Sequence, residues 1–319
     1  MSLICIDTGT TSSRVWLVEN GEIQYGVAAD VGVRDTARDG NNHRLRETLG
    51  NLLRQARDRA TVPVTQIAAA GMITSALGLR EVPHVAAPAG CCELSAGAVQ
   101  YVDDELGDLP ITLFPGVRSG PWGDPASIAD TDIMRGEETL CLGLIAQRPG
   151  SLRTVINLGS HWKTILLNDL GQITSSHTTL SGELLHAIMT QTVLASAVPS
   201  GRPGSIDNAW CLQGAHAFAS MGLSRMLFTV RLWELQASEV TPRQRLSYLI
   251  GGLVAEALTA VLRRALPGES VLIIGEGGIA QAWRLLLAES GIASEILPPE
   301  ATSVAFVHGI LTLLAATPS

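Results

Sequence analysis

The sequence predicts a duplicated α/β fold, two lobes with a cleft between them, because one strand and turn pattern occurs twice, about half a chain apart. Residues 4–11 read as a strand entering a tight polar turn, 13–19 as a second strand, Asn20-Gly21 as a two-residue hairpin and 22–27 as a third strand. Residues 154–160 again read as a strand entering a Gly/Ser turn, followed by a strand at 162–167, a hairpin at 168–171 and a strand at 172–176. Laid over each other, the copies set Asp7 opposite Asn157, Gly9 opposite Gly159 and Arg14 opposite Lys163. Such a pair of turns has a specific use. Glycine lets the backbone approach phosphate, turn N–H groups and hydroxyls donate to it, and a carboxylate at a strand end holds hydrated magnesium. Two facing turns then clamp one triphosphate; the competing reading of either copy alone is an ordinary hairpin.

Composition narrows the function classes. The 319 residues are 46% hydrophobic and 16% charged, enough apolar material for two cores and too little charge for extensive disorder. Net charge is −8 and no run of Lys or Arg occurs, so neither nucleic acid nor an anionic membrane is an expected partner. An anionic substrate must instead be held by locally placed cations. The N-terminus enters a strand without a basic, apolar leader and no uninterrupted apolar run reaches spanning length, which reads as a soluble cytoplasmic protein. Cys5, Cys91, Cys92, Cys141 and Cys211 show no metal-type spacing and are expected to be reduced thiols, most of them buried.

After the first meander, residues 32–42 read as a polar loop. Leu45, Leu49, Leu52, Leu53, Ala56 and Ala60 then recur at helical spacing up to Pro63. Residues 67–71 read as a buried parallel strand, and Ser75 follows its carboxyl end, where open α/β sheets bind ligands. A proline-constrained segment at 81–90 carries His84, read as a substrate contact or a solvated side chain. A strand at 111–114 leads into a Gly/Pro-rich loop at 115–125, whose Arg118 either pairs with a substrate carboxylate or is solvated. Residues 132–140 read as the start of a helix. Its adjacent Glu137 and Glu138 suit the helix dipole, and equally suit a base that accepts a hydroxyl proton during phosphoryl transfer.

In the second half, Lys163 is the chain's one lysine and lies beside the turn at 159–161, placed to neutralise a terminal phosphate. Ser181 reads as a helix cap, and Glu183 as either a first-turn stabiliser or a partner for a sugar hydroxyl. Residues 195–205 read as a loop joining helices. Thr241-Pro-Arg-Gln244 carries a capping box that opens a long apolar helix. A buried strand at 270–274 ends in Gly275-Glu-Gly-Gly278, a helix covers 280–290, a short strand 295–297, and an apolar helix 301–315.

Several of these stretches together resemble one family. Asp-x-Gly-Thr-Thr11, Ala70-Gly-Met-x-x-Ser75, Pro83-His-Val-x-x-Pro-Ala89, Met134-Arg-Gly-Glu-Glu-Thr139, Gly159-Ser-His-x-Lys163 and Ser181-Gly-Glu-Leu184 resemble the 2-dehydro-3-deoxygalactonokinases over nearly the whole chain. The resemblance implies a duplicated actin-like (ribonuclease H-like) ATPase fold, with residues 1–150 and 151–319 as lobes around a nucleotide cleft and the last helix packing back on the first lobe. It implies transfer of the ATP γ-phosphate to the 6-hydroxyl of 2-dehydro-3-deoxy-D-galactonate, with Mg2+, in galactonate breakdown, and it leaves room for a homodimer. The chain is also similar to exopolyphosphatases of that superfamily, whose Gly-x-Glu-Glu segment supplies a catalytic glutamate. On that analogy Glu138 is the base and Glu137 its neighbour, and Asp7 holds the metal through water. Gly9, Thr10, Thr11, Gly159, Ser160, His161 and Lys163 meet phosphates, and Gly275, Gly277 and Gly278 face the adenosine. Ser75, His84, Arg118, Arg135 and Glu183 line the sugar acid. The alternatives are a polyphosphate-type hydrolase and a non-catalytic ATP-binding sensor. The chain departs from the family pattern at Thr8, Leu158, Trp162 and Glu276.

Overall fold

Asn20 and Gly21 both adopt positive φ, 54° and 84°, as a two-residue hairpin between right-twisting strands requires. That turn joins the second and third strands of a computed structural model that describes residues 2–150, 152–236, 239–263 and 270–316. The chain forms two compact units, one from Met1–Ser151, Leu167–Ser176 and Glu300–Ser319, the other from Leu152–Leu166 and His177–Pro299.

The first unit contains β1 (Ser2–Thr8), β2 (Ser13–Glu19), β3 (Glu22–Ala29), β4 (Gln66–Gly71), β5 (Val85–Ala86), β6 (Val99–Asp103), β7 (Gly107–Leu113), β8 (Val117–Ser119) and β9 (Asp132–Met134). Six strands form one sheet in the order β3-β2-β1-β4-β7-β6, in which β1, β4 and β7 are parallel. The helix His43–Arg57 buries Leu45, Leu49, Leu52, Leu53 and Ala56 in the same cluster as Ile4, Ile6, Val15 and Ile67, the face its spacing predicts. Alanines 68–70 of β4 are fully buried.

Three expectations for this half need correction. Residues 33–39 are a short helix rather than loop, held by the Asp35 carboxylate accepting from the Gly32 N–H at 3.1 Å. The loop at 115–125 contains β8, and residues 132–134 are β9, not helix. These two short strands exist because they pair: Val117 lies between Val85 and Met134 in a three-stranded sheet β5-β8-β9. The helix begins only at Glu137, after Gly136 at φ 104°, a conformation closed to other residues.

In the second half β10 (Thr154–Leu158), β11 (Trp162–Leu167), β12 (Ile173–Thr179), β13 (Val271–Ile274) and β14 (Ser294–Leu297) are ordered β12-β11-β10-β13-β14. Both sheets run from an antiparallel meander, third strand outermost, into two further parallel strands, β3-β2-β1-β4-β7 and β12-β11-β10-β13-β14, and the first adds β6 antiparallel to β7 at its edge. This is the duplicated ribonuclease H-like, actin-like α/β fold. The repeat extends to single pairs, since Asp7 pairs with Arg14 across β1 and β2 just as Asn157 pairs with Lys163 across β10 and β11.

Helix Pro242–Leu262 opens with the predicted capping box, Thr241 with Gln244, and is the central core helix of its unit. It crosses helix Asn208–Met221 at two glycines. A β-carbon on Gly214 would stand 1.9 Å from Tyr248 O, and one on Gly251 1.9 Å from Cys211 O. In the first unit, helix Pro299–Ala316 meets Glu137–Gln147 in the same manner. A β-carbon on Gly143 would stand 1.7 Å from Ala305 O, and one on Gly309 1.9 Å from Thr139 O. Both Pro242–Leu262 and Pro299–Ala316 are long and apolar enough to cross a bilayer by length and composition, and 72% and 33% of their apolar windows are buried within the protein. The three departures inside the fold are packed: Thr8 is fully buried, Leu158 lies against Gly275, and Trp162 meets Trp283 edge-on at 5.9 Å.

Candidate active site

In the first unit the carboxyl ends of β1 and β4 and the start of helix Glu137–Gln147 converge on Asp7. Arg14 Nη1 donates to Asp7 Oδ2 at 3.2 Å. The other oxygen faces two glycines: a β-carbon on Gly71 would come within 3.0 Å of Oδ1, and one on Gly136 would stand 3.9 Å from it and 3.2 Å from Gly71 Cα. Gly71 and Gly136 both have positive φ, 90° and 104°, so neither their conformation nor their spacing admits a side chain. Burial pushes the Asp7 carboxyl up to about 6; Arg14 pulls it down and the Glu137 charge adds to the rise.

The two glutamates behave differently. Glu138 is 1% exposed, and both its oxygens accept from the Gly136 N–H, at 2.7 and 2.9 Å. Glu137 is half-buried, accepts from the Arg135 N–H at 3.2 Å, and is the carboxylate whose charge reaches Asp7. Arg135 Nη1 donates to Thr74 Oγ1 at 2.8 Å and Nη2 to Val82 O at 2.7 Å, with His84 Nδ1 at 3.4 Å. Thr74 in turn donates to Gly71 O at 3.0 Å. This chain ties the arginine to the segment that ends β4.

The small sheet draws together residues that lie far apart in sequence. His84 precedes β5, Arg118 sits on β8 with its guanidinium 5.5 Å from the Trp122 ring centroid, and Arg135 follows β9. Ser75 donates to Met72 O at 2.7 Å and closes the turn after β4.

In the second unit, Gly159, Ser160 and His161 are half-buried, as are Gly9, Thr10 and Thr11 in the first. His161 Nε2 lies 3.4 Å from Glu183 Oε1, and Lys163 is 6% exposed on β11. Gly275, Gly277 and Gly278 follow β13. The Gly278 N–H donates to Pro203 O at 2.7 Å, and a β-carbon on Gly277 would meet that same oxygen at 2.7 Å. These glycines let the turn lie flush on the segment around residue 203. Glu276 is exposed at the helix start and makes no side-chain cap.

Two glycines escape the sequence reading altogether. Gly32 packs against the main chain of Gly9 and Thr10, and Gly182 against that of Gly159 and Ser160. No local signal marks either one, since their partners lie over twenty residues away. Among the described residues no group of three or more His, Cys, Asp or Glu side chains is placed to hold a metal.

A curated probable 2-dehydro-3-deoxygalactonokinase of Rhizobium meliloti is 26% identical over 90% of this chain and 89% of that protein. The 2-dehydro-3-deoxygalactonokinase of Escherichia coli is 28% identical over 82% of this chain and 80% of its own length. A crystal structure of a protein from Sinorhizobium meliloti, described as a 2-dehydro-3-deoxygalactonokinase, shares the fold with a TM-score of 0.76 at 23% identity, over 98% of this chain and 97% of that one. The family model for 2-keto-3-deoxy-galactonokinase matches residues 7–312, and the chain belongs to that family.

Proposed function

We propose that this protein is an ATP-dependent kinase that phosphorylates the 6-hydroxyl of 2-dehydro-3-deoxy-D-galactonate in the cytoplasm. The observation that carries the reading is the convergence of Asp7, Gly71, Gly136 and Glu137 at the carboxyl ends of β1 and β4, inside a chain matched from end to end by a sugar-acid kinase family. Each unit offers a phosphate-type turn in this reading, Gly9, Thr10 and Thr11 in the first and Gly159, Ser160 and His161 in the second, where Lys163 would counter phosphate charge. The Gly275–Gly278 turn faces the adenosine.

Magnesium fits Asp7. One oxygen of a carboxylate partly shielded from water is held by Arg14, and the other, Oδ1, would be the one to meet a hydrated cation. Bound there, the cation would neutralise charge on the phosphate oxygens.

Glu137 is the base in this reading, and Glu138 holds it in place. A base must reach the substrate hydroxyl. Glu137 is the less buried of the pair and lies on the Asp7 side, whereas both Glu138 oxygens are engaged with the Gly136 N–H. The 6-hydroxyl oxygen attacks the γ-phosphorus, Glu137 takes its proton, and the bond to the bridging oxygen breaks to leave ADP. Arg118, backed by Trp122, takes the substrate carboxylate, and His84, Ser75 and Glu183 meet its hydroxyls. Arg135, with its guanidinium on Thr74 and Val82, braces the site.

A coupled ADP-release assay across a panel of 2-keto-3-deoxy sugar acids tests this. ADP production that requires a six-carbon 3-deoxy acid is expected. Release of inorganic phosphate with no acceptor would move the assignment to a hydrolase, and ATP binding without turnover to a sensor.

A further inference from the structure

Resting on the kinase reading, we propose that Gly32 and Gly182 are paired positioning residues that shape the two ATP-binding turns by packing against their carbonyl groups. Each follows the third strand of its own meander by three residues, β3 ending at Ala29 and β12 at Thr179. Each stands at the beginning of the helix that follows, Gly32 as the cap of Val33–Asp39 and Gly182 as the second residue of Ser181–Gln191.

The contacts match as well. A β-carbon on Gly32 would lie 2.6 Å from Gly9 O and 2.6 Å from both the carbonyl carbon and oxygen of Thr10. One on Gly182 would lie 2.4 Å from Ser160 O and 2.6 Å from Gly159 O. Neither position needs glycine for its dihedral angles, since Gly32 is extended at φ −142° and Gly182 sits in an α-helix. Space alone excludes a side chain. In the first half hydrogen bonds add to the packing: Val33 N–H donates to Gly9 O at 3.2 Å and Arg34 N–H to Thr10 O at 2.9 Å.

Fixing those carbonyls orients the opposite edges of the same peptides. In a trans peptide the C=O of one residue and the N–H of the next point in opposite directions. With the Gly9 and Thr10 carbonyls turned toward the helix at Val33, the N–H groups of Thr10 and Thr11 point away from it. By the same geometry the Gly159 and Ser160 carbonyls, turned toward Gly182, send the N–H groups of Ser160 and His161 outward. These four N–H groups are the donors a phosphate needs. The duplication has therefore kept a buttress as well as a turn.

The test compares Gly32→Ala and Gly182→Ala with Gly50→Ala, whose β-carbon would meet nothing nearer than 3.7 Å. Readouts are the thermal midpoint without ligand, the ATP-induced shift of that midpoint, and KM for ATP and for the sugar acid separately. In both buttress variants KM for ATP should rise about tenfold or more, the effect of losing a hydrogen bond to a charged group, with the ATP-induced shift reduced and KM for the sugar acid unchanged. Gly50→Ala should match wild type. If either alanine variant fails to fold, Asp35→Ala, which loosens the cap at Gly32 without adding atoms, must raise KM for ATP selectively. An unchanged KM for ATP, or a parallel rise in both KM values, overturns the proposal. If the wild-type protein neither binds ATP nor releases ADP with any acid, the kinase reading fails first and this inference falls with it.

Discussion

Between β1 and β2 the polar turn spans four residues, Gly9 to Ser12, and between β10 and β11 it spans three, Gly159 to His161. Around the first, the strand pair is an acid facing a cation: Asp7 with Arg14, whose side chain is 51% exposed. Around the second, the same register position pairs an amide with a cation: Asn157 with Lys163, which is 6% exposed. The backbone motif is repeated while its electrostatics are not. Under the proposed function, exchanging one carboxylate for an amide separates a turn that would hold hydrated metal from one that would hold phosphate alone. The two copies share a shape and differ at two paired positions.

The sharpest attack on this contrast is at the glutamates, which exist only in the acidic half. Glu137→Gln should lower kcat by about 10³-fold, within the range for losing a general base, and leave the ATP-induced thermal shift nearly intact. Glu138→Gln should instead lower the thermal midpoint, because it disturbs a buried carboxylate that caps Gly136. Activity that survives Glu137→Gln and vanishes in a well-folded Glu138→Gln would reverse the two roles.

Asp7→Asn makes the first turn chemically like the second. Turnover should fall by about 10²-fold, as loss of charge stabilisation at one site does in other enzymes, and the dependence of the residual rate on Mg2+ should flatten. A variant with wild-type Mg2+ dependence would place the metal elsewhere. The reciprocal change, Asn157→Asp, gives the second turn the ion pair of the first. With a carboxylate brought toward the phosphates, KM for ATP should rise by about fivefold, on the order of 1 kcal/mol. An unchanged KM would mean that the phosphates do not reach that strand end.

The smallest effect is on stability. Burial raises Asp7 from its ordinary 3.8 to about 6, so the folded protein binds this proton more tightly than the unfolded chain. The stability linked to it is complete below the unfolded value and is lost as pH rises through about 6. Without ligands, Asp7→Asn should therefore raise the thermal midpoint by about 5 °C at pH 8 and by less at pH 4. Equal shifts at both pH values would show that burial does not set the behaviour of this carboxyl.

Much of the architecture was open to reading along the chain. Asn20-Gly21 dictates its hairpin because few other pairs accept two positive φ values, and Thr241 with Gln244 dictates a helix start through reciprocal capping. The leucine spacing of residues 45–53 marks the buried face of its helix. These are local effects, settled within a few residues of each other. The short strands β8 and β9 leave no local signal because their hydrogen bonds go to each other and, for β8, to β5, where Val117 pairs with the remote Val85. The helix at 33–39 has no local signal because its first N–H groups are satisfied by carbonyls of Gly9 and Thr10.

The same division runs through the site. Asp7, the glycines of both turns, the glutamate pair and Lys163 are candidates by residue type and spacing, since phosphate chemistry demands carboxylates, cations and bare backbone in a short compass. Which glutamate faces Asp7, which arginine is consumed by Thr74 and Val82, and why Gly32 and Gly182 admit no side chain are matters of distance between remote segments. Pattern carries chemical type because type is a property of one residue. Role is a property of neighbours, and those are assembled only when each sheet and its helices pack.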